Sequence, residues 1–315
     1  MAKVPVGKTI AFSYGFTFGN IGAIIGQIWL PLLLLTLGRF FVISPYYESF
    51  SQAMVQDNTA LVQQAAVTLL FYMLVALIFY AMIYVSLTRQ ALGLTHGSSF
   101  LRFSLGAAEW RMYGAILALT LAMVVLVFLI VLTAALLGSV VTAVLGAAGM
   151  APEMASVAKG ATPKVLSPAV ATVGTLIFLF IICASIYVFV RLFFVLAPVT
   201  VAEEQISLGR GWQLTAKNFW RIFLVLLATV GPIVLLILIS EAVIVGPDAI
   251  MSNADTGFAG TVSRMEKMRP HLPVLYGLGF VLSPFLFGLV LSASAFAYRT
   301  LVPPLAARGV ILDAP

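Results

Sequence analysis

The side chains best suited to catalysis or metal binding are few in this sequence, and they are spread apart. The two histidines, His96 and His271, lie in segments that the charge distribution assigns to opposite sides of a membrane, and the single cysteine, Cys183, lies inside an apolar run. A shared zinc site is therefore not expected. Glu203 and Glu204 are adjacent, and adjacent helical residues point about 100° apart, which disfavours a paired acid–base site. Neither a G-x-S-x-G elbow nor a phosphate-binding G-x-x-x-x-G-K-[ST] loop is present. We expect no enzyme activity, cofactor or metal.

Basic and aromatic residues form a second set of candidates, whose chemistry would be the binding of phosphate groups at a membrane surface. Arg191 is the only basic residue well inside a predicted span, seven residues before Pro198. That separation is about 10 Å of helix, which an extended arginine side chain can cover to reach the interface. The headgroup-binding candidates are Arg191, Arg210, Lys217 and Arg221, and the candidate interfacial anchors are Trp110, Trp212, Phe219 and Trp220.

The elements that carry these residues must be membrane helices. The 315 residues are 62% hydrophobic and 9% charged, whereas soluble domains are about 25% charged because their surfaces need charge to stay dissolved. The high apolar and low charged fractions also exclude a disordered chain, which would be poor in apolar residues. The composition therefore predicts a polytopic membrane protein that forms one integral domain over residues 1–315.

Six charge-free runs are each long enough to cross about 30 Å of hydrocarbon, which takes about 20 helical residues. Residues 112–152 would suffice for two short spans, but residues 138–151 are rich in small side chains, so we interpret the run as one span and an external segment. The solid apolarity of the runs disfavours a β-barrel, whose strands alternate. The predicted spans are Ile21–Gly38, Leu61–Leu87, Tyr113–Leu137, Ala169–Pro198, Ile222–Val245 and Val274–Tyr298.

The loop charges predict the orientation of the bundle. Ten basic and four acidic residues fall on the side that holds both termini, against six of each on the other side. Because basic residues favour the cytoplasmic side, both termini are predicted to be cytoplasmic, with the first span retained as an uncleaved segment. Membrane orientation explains the basic isoelectric point, so the expected partners are phospholipids and other membrane proteins, and nucleic acid is not among them.

Internal similarity predicts three helical hairpins, each preceded by an interfacial amphipathic helix, in units of residues 9–94, 95–202 and 203–308. The segment before the fifth span places Leu208, Trp212, Thr215 and Phe219 on one face of a helical wheel, and the second copy does so with Phe100, Phe103, Ala107 and Trp110. Aromatic residues at alternate positions 12–18 precede the first span, and we interpret them as another interfacial helix. Gly15 and Gly19 are spaced for close helix packing.

A stretch of the chain resembles a known family. The stretch consists of Arg191-Leu-Phe-Phe-Val-Leu-Ala-Pro198-Val-Thr-Val-Ala-Glu203, then Gly209, then Trp212-Gln-Leu-Thr-Ala-Lys-Asn218-Phe-Trp220-Arg221. It is similar to the membrane domain of bacterial glycerophosphodiester phosphodiesterases and of related stand-alone six-helix inner-membrane proteins. The motif covers roughly residues 191–230. In that family the hydrolase chemistry belongs to a separate soluble domain, which the short loops and tails here do not provide. The resemblance therefore implies a bacterial inner-membrane module without hydrolase activity.

These patterns favour a non-catalytic module that associates with phospholipid. The alternative is a transporter or channel for a small or lipidic solute, which would show a polar cavity between the spans. Ion-coupled transporters usually place ionisable groups at broken helices near mid-membrane. Pro31 and Pro232 predict kinks in two spans, but no acidic or basic residue accompanies them in the sequence at that depth.

Overall fold

The computed structural model describes residues 2–45, 59–94, 105–147, 168–246 and 267–302, and all regular structure within these ranges is helical. Six of the described helices are long and apolar enough to cross a membrane. Their apolar spans are Ile21–Ile43, Ala60–Ala91, Ala107–Thr133, Leu179–Ala202, Phe219–Val245 and Arg269–Leu301. For the described residues, this confirms the prediction of an all-α chain with six helices long and apolar enough to span a membrane.

Nine α-helices occur in the described part of the chain. The first four are α1 (Val6–Gly19), α2 (Ile21–Gly38, continued by a π-helical turn at Arg39–Ile43), α3 (Thr59–Ala91) and α4 (Ala107–Ala147). The next three are α5 (Pro168–Phe193), α6 (Leu196–Ala202) and α7 (Leu208–Thr215). The last two are α8 (Phe219–Val245) and α9 (Leu272–Leu301), the latter preceded by a 3-10 turn at Arg269–His271.

Helix α4 is one continuous helix through the glycine-containing stretch that follows the predicted third span. It runs 41 residues, from Ala107 to Ala147, so the residues from 138 to 147 extend the helix instead of leaving it. Each glycine costs about 1 kcal/mol in a helix interior, but the alanine and leucine residues between them favour the helix. Within the described residues this agrees with one span in this region.

The fourth predicted span is broken near its end. Helix α5 ends at Phe193 and α6 begins at Leu196, so Pro198 lies in a separate short helix. Proline has no backbone N–H and cannot donate to the carbonyl four residues earlier, which here belongs to Phe194. The Ser294 hydroxyl of α9 donates to that carbonyl instead. The break is therefore stabilised by a residue one hundred positions away.

Helix α9 forms the shared wall of the bundle, in contact with α1, α2, α3, α6 and α8. Helix α1 runs antiparallel to it, because the Phe12 ring stacks on Phe296 at 4.9 Å and the Phe18 ring lies 5.8 Å from Phe285. The Thr17 side chain of α1 packs against Gly288 so tightly that a Cβ there would lie 2.8 Å from it. The buried hydroxyl residues of α1 share one stripe, Thr9, Ser13 and Thr17.

The segments predicted to be amphipathic are only partly described. The residues preceding the first span form a helix, α1, as predicted, and its position at an interface stays a prediction. Phe100 and Phe103 lie outside the described residues. Before the fifth span, Ser207 caps the N-terminus of α7, which ends at Thr215, and Phe219 starts α8. Phe219 is therefore not on the same helix as Trp212. The threefold repeat stays a prediction.

Candidate functional site

One end of the bundle collects most of the candidate residues, and we call it the basic end. It comprises residues 2–5, the C-terminal ends of α3 and α9, the N-terminal ends of α4 and α8, and residues 191–218. Three ion pairs join these elements: Arg89–Glu109 at 3.9 Å, Arg111–Glu204 at 3.2 Å and Arg210–Glu203 at 3.2 Å. Each described carboxylate of this end is thus paired with an arginine.

Arg191 lies buried between α5 and α7, with 5% of its surface exposed. Its guanidinium donates to the Tyr187 hydroxyl at 2.9 Å and to the Trp212 carbonyl at 2.7 Å. The guanidinium carbon lies 3.5 Å from the centre of the Trp212 ring, so the electron-rich face of the ring stabilises the charge. The Thr215 hydroxyl donates back to the Arg191 carbonyl at 3.1 Å. Arg191 therefore fixes α7 to α5, and its contact with lipid phosphate stays a prediction.

Glu203 connects α6, α7 and α9. Its carboxylate accepts hydrogen bonds from Arg210 Nε at 3.2 Å, Tyr298 Oη at 3.1 Å and Gln205 Nε2 at 3.0 Å. Burial alone would raise the pKa of Glu203, but the hydrogen bonds from Gln205 and Arg210, the positive charge of Arg210 and the Tyr298 hydroxyl together lower it below its ordinary value. Arg210 therefore forms an ion pair with Glu203 within the protein, and its contact with lipid phosphate stays a prediction.

The N-terminal residues dock on the start of α8. The Asn218 side chain accepts from the Val4 N–H at 3.1 Å and donates to the Ala2 carbonyl at 3.2 Å. Arg221 donates to the Val4 carbonyl at 3.0 Å, and Val4 itself is fully buried. Arg221, a predicted headgroup-binding residue, thus also holds the N-terminal residues in place.

Three of the remaining candidates, Lys217, Trp220 and Trp110, are exposed. Lys217 is exposed, and within the described residues its ammonium group makes no ion pair or hydrogen bond. Trp220 is 72% exposed and Trp110 is 53% exposed, as expected of anchors that face lipid or its headgroups. Phe219 is partly buried, 4.7 Å from the Tyr187 ring. The structure therefore brings Trp220 and Lys217 together at the α8 start and places Trp110 on α4.

Two cavities between the described helices are relevant to function, and sequence reasoning did not identify either. The first, the Arg39 cavity, has a volume of about 320 Å³ and lies between α2, α3, α8 and α9. The second, the apolar cavity, has a volume of about 450 Å³ and lies between α3, α5, α8 and α9. Arg39 follows the end of a predicted span, so in the sequence it looks like an ordinary helix-end charge. Only the packing of three distant helices places a cavity beside it.

Comparison with protein-family models, with curated proteins and with solved structures gave no match to this chain.

Proposed function

We propose that this chain is a non-catalytic membrane protein that associates with anionic phospholipid through its basic end. In this proposal it is a bacterial inner-membrane module of the kind found beside glycerophosphodiester phosphodiesterases, with the basic end and both termini facing the cytoplasm. The sequence motif over residues 191–230 and the excess of basic residues in the loops on the side of both termini support this assignment.

The observation that carries the proposal is the pairing pattern at the basic end. Glu109, Glu203 and Glu204 each meet an arginine, which leaves the exposed Lys217 as a free cation beside the exposed Trp220. A cation next to an amphipathic ring suits the boundary between headgroups and acyl chains. Lys3 and Lys8 are exposed at the same end and add to its positive charge.

Quenching of tryptophan fluorescence by brominated lipids tests the proposal. The protein is placed in nanodiscs that contain either brominated phosphatidylglycerol or brominated phosphatidylcholine, and the signal lost on Trp220→Phe reports the lipid next to that residue. A surface cation contributes about 1 kcal/mol toward an anionic lipid, so Lys217→Gln is expected to lower the preference for phosphatidylglycerol about fivefold.

The matched control is Lys267→Gln, which removes an exposed lysine from the other end of the bundle. It should leave quenching at Trp220 unchanged. Equal quenching by the two lipids in the unmodified protein, or equal effects of the two lysine substitutions, would contradict the proposal. Arg210 and Arg221 are poor choices for this test, because their loss also disturbs Glu203 and the docked N-terminus.

A further inference from the structure

Among the described residues that line the Arg39 cavity, Arg39 is the charged one, and most of the others are apolar. The Arg39 guanidinium donates to the Tyr80 hydroxyl at 2.8 Å, and no carboxylate among the described residues pairs with it. Thr36 and Ser283 also line the cavity, although their hydroxyls donate to carbonyls of their own helices, those of Leu32 and Gly279. An unpaired guanidinium presents several N–H donors to an anionic oxygen.

None of the described residues that line the apolar cavity is charged. It is bounded by aromatic and aliphatic side chains from four helices, among them Tyr84, Phe189, Phe193, Phe223, Leu227 and Val234. Gly231 adds a stretch of bare backbone to the wall, and a side chain there would meet only the end of Leu227, at 3.8 Å. Such a lining suits an alkyl chain and offers nothing to a hydrophilic solute.

The two cavities are stacked along the bundle. Leu286 and Phe287 line both, and the Phe287 ring lies 6.2 Å from the Tyr80 ring and 6.0 Å from the Tyr84 ring, one helical turn further along α3. The lining of α9 runs from Leu275 in the Arg39 cavity to Val290 in the apolar cavity. At 1.5 Å per residue those fifteen residues extend over about 22 Å.

We propose that the stacked cavities form one binding site for an anionic amphiphile, whose head binds Arg39 and whose single alkyl chain passes Phe287 into the apolar cavity. The charge at one end, the apolar lining at the other and the shared side chains between them match the two parts of such a molecule. The head can be a phosphate or a carboxylate, since both accept paired N–H donors from a guanidinium. Arg39 lies at the other end of the bundle from the basic end, so binding of the head there does not depend on the lipid association proposed for Lys217 and Trp220.

A photoreactive probe tests the site. The full chain in phosphatidylcholine nanodiscs is irradiated with a diazirine-bearing dodecyl phosphate, or with the matching dodecanol as the uncharged probe, and labelled residues are mapped by mass spectrometry. We expect saturable labelling of α5 and α8 around the apolar cavity by the phosphate probe, at least tenfold above that by the alcohol. Competition by unlabelled dodecyl phosphate and by dodecanoate then distinguishes a phosphate from a carboxylate ligand.

Two substitutions separate the head from the chain. Arg39→Gln should reduce phosphate-probe labelling to the level of the alcohol, and Gly231→Leu should reduce it at least tenfold by filling the apolar cavity. Their controls are Lys267→Gln and Gly277→Leu, the latter at a glycine of α9 with open space around it. Size-exclusion chromatography checks that each variant remains folded.

The proposal is overturned by equal labelling with the two probes, or by an Arg39→Gln variant that labels like the unmodified protein. It is also overturned if Gly231→Leu and Gly277→Leu label alike, because the chain would then lie outside the apolar cavity. A negative result here leaves the lysine test at the basic end unaffected, since the two tests use different residues, lipids and signals.

Discussion

Replacement of Arg191 by methionine tests whether a buried cation, and not only apolar packing, holds α7 against the bundle. Methionine keeps much of the aliphatic volume but removes the hydrogen bonds to the Tyr187 hydroxyl and the Trp212 carbonyl, together with the stacking on the Trp212 ring. We therefore expect local loosening of α7 with the six spans intact.

The size of the effect follows from these contacts. A hydrogen bond to a charged group contributes about 1.5–3 kcal/mol, and a desolvated cation–π contact contributes about 2 kcal/mol. The substitution also removes the cost of burying a charge, which offsets part of that loss. We therefore expect α7 docking to weaken by about 2–3 kcal/mol, which corresponds to about a 30- to 150-fold rise in amide exchange.

Hydrogen exchange followed by mass spectrometry measures this directly at Leu208–Thr215. The matched control is Arg111→Met, because Arg111 pairs with the exposed carboxylate of Glu204, and exposed pairs contribute less than about 1 kcal/mol. The reasoning is refuted if α7 exchanges no faster in the Arg191 variant than in the Arg111 variant.

Two further predictions concern packing and pH. A side chain at Gly288 would place its Cβ 2.8 Å from Thr17, so Gly288→Ala should lower the stability by about 1–3 kcal/mol, measured by thermal unfolding in detergent, whereas Gly277→Ala, with open space around it, should not. The lowered pKa of Glu203 stabilises the fold above the ordinary glutamate pKa of about 4.3, and this contribution is lost as pH falls through the lower folded value. Glu203→Gln should therefore remove part of the destabilisation that develops as pH falls below about 4.3; an unchanged pH profile would contradict the assignment.

The spans were predictable because hydrocarbon thickness fixes their length and because charge is costly within them. The predicted start of the first span, Ile21, coincides with the start of α2. The break after Phe193 was not predictable, since its lost hydrogen bond is replaced by Ser294, far away in sequence. Close approach was expected at Gly15 and Gly19, yet both face open space and Gly288 makes the contact instead.

The sequence identified the basic and aromatic residues of the basic end, but it did not predict how they contact one another. The depth of Arg191 in its helix indicated an unusual role, but its contact with Trp212, 21 positions later, depends on how α7 folds back onto α5. Spacing along one helix carries no information on such a contact. For the same reason the cavity beside Arg39 was not predicted, because α3, α8 and α9 supply much of its lining.

The position of α9 has a consequence for how the protein is made. Five spans precede α9 in the chain, so they leave the ribosome and enter the membrane before their common neighbour does. During that interval the Phe194 carbonyl lacks a hydrogen bond from Pro198, which has no N–H, and the Ser294 hydroxyl has not yet been synthesised. We therefore expect the break between α5 and α6 to reach its final structure only after α9 has been synthesised, because Ser294 is part of that last helix.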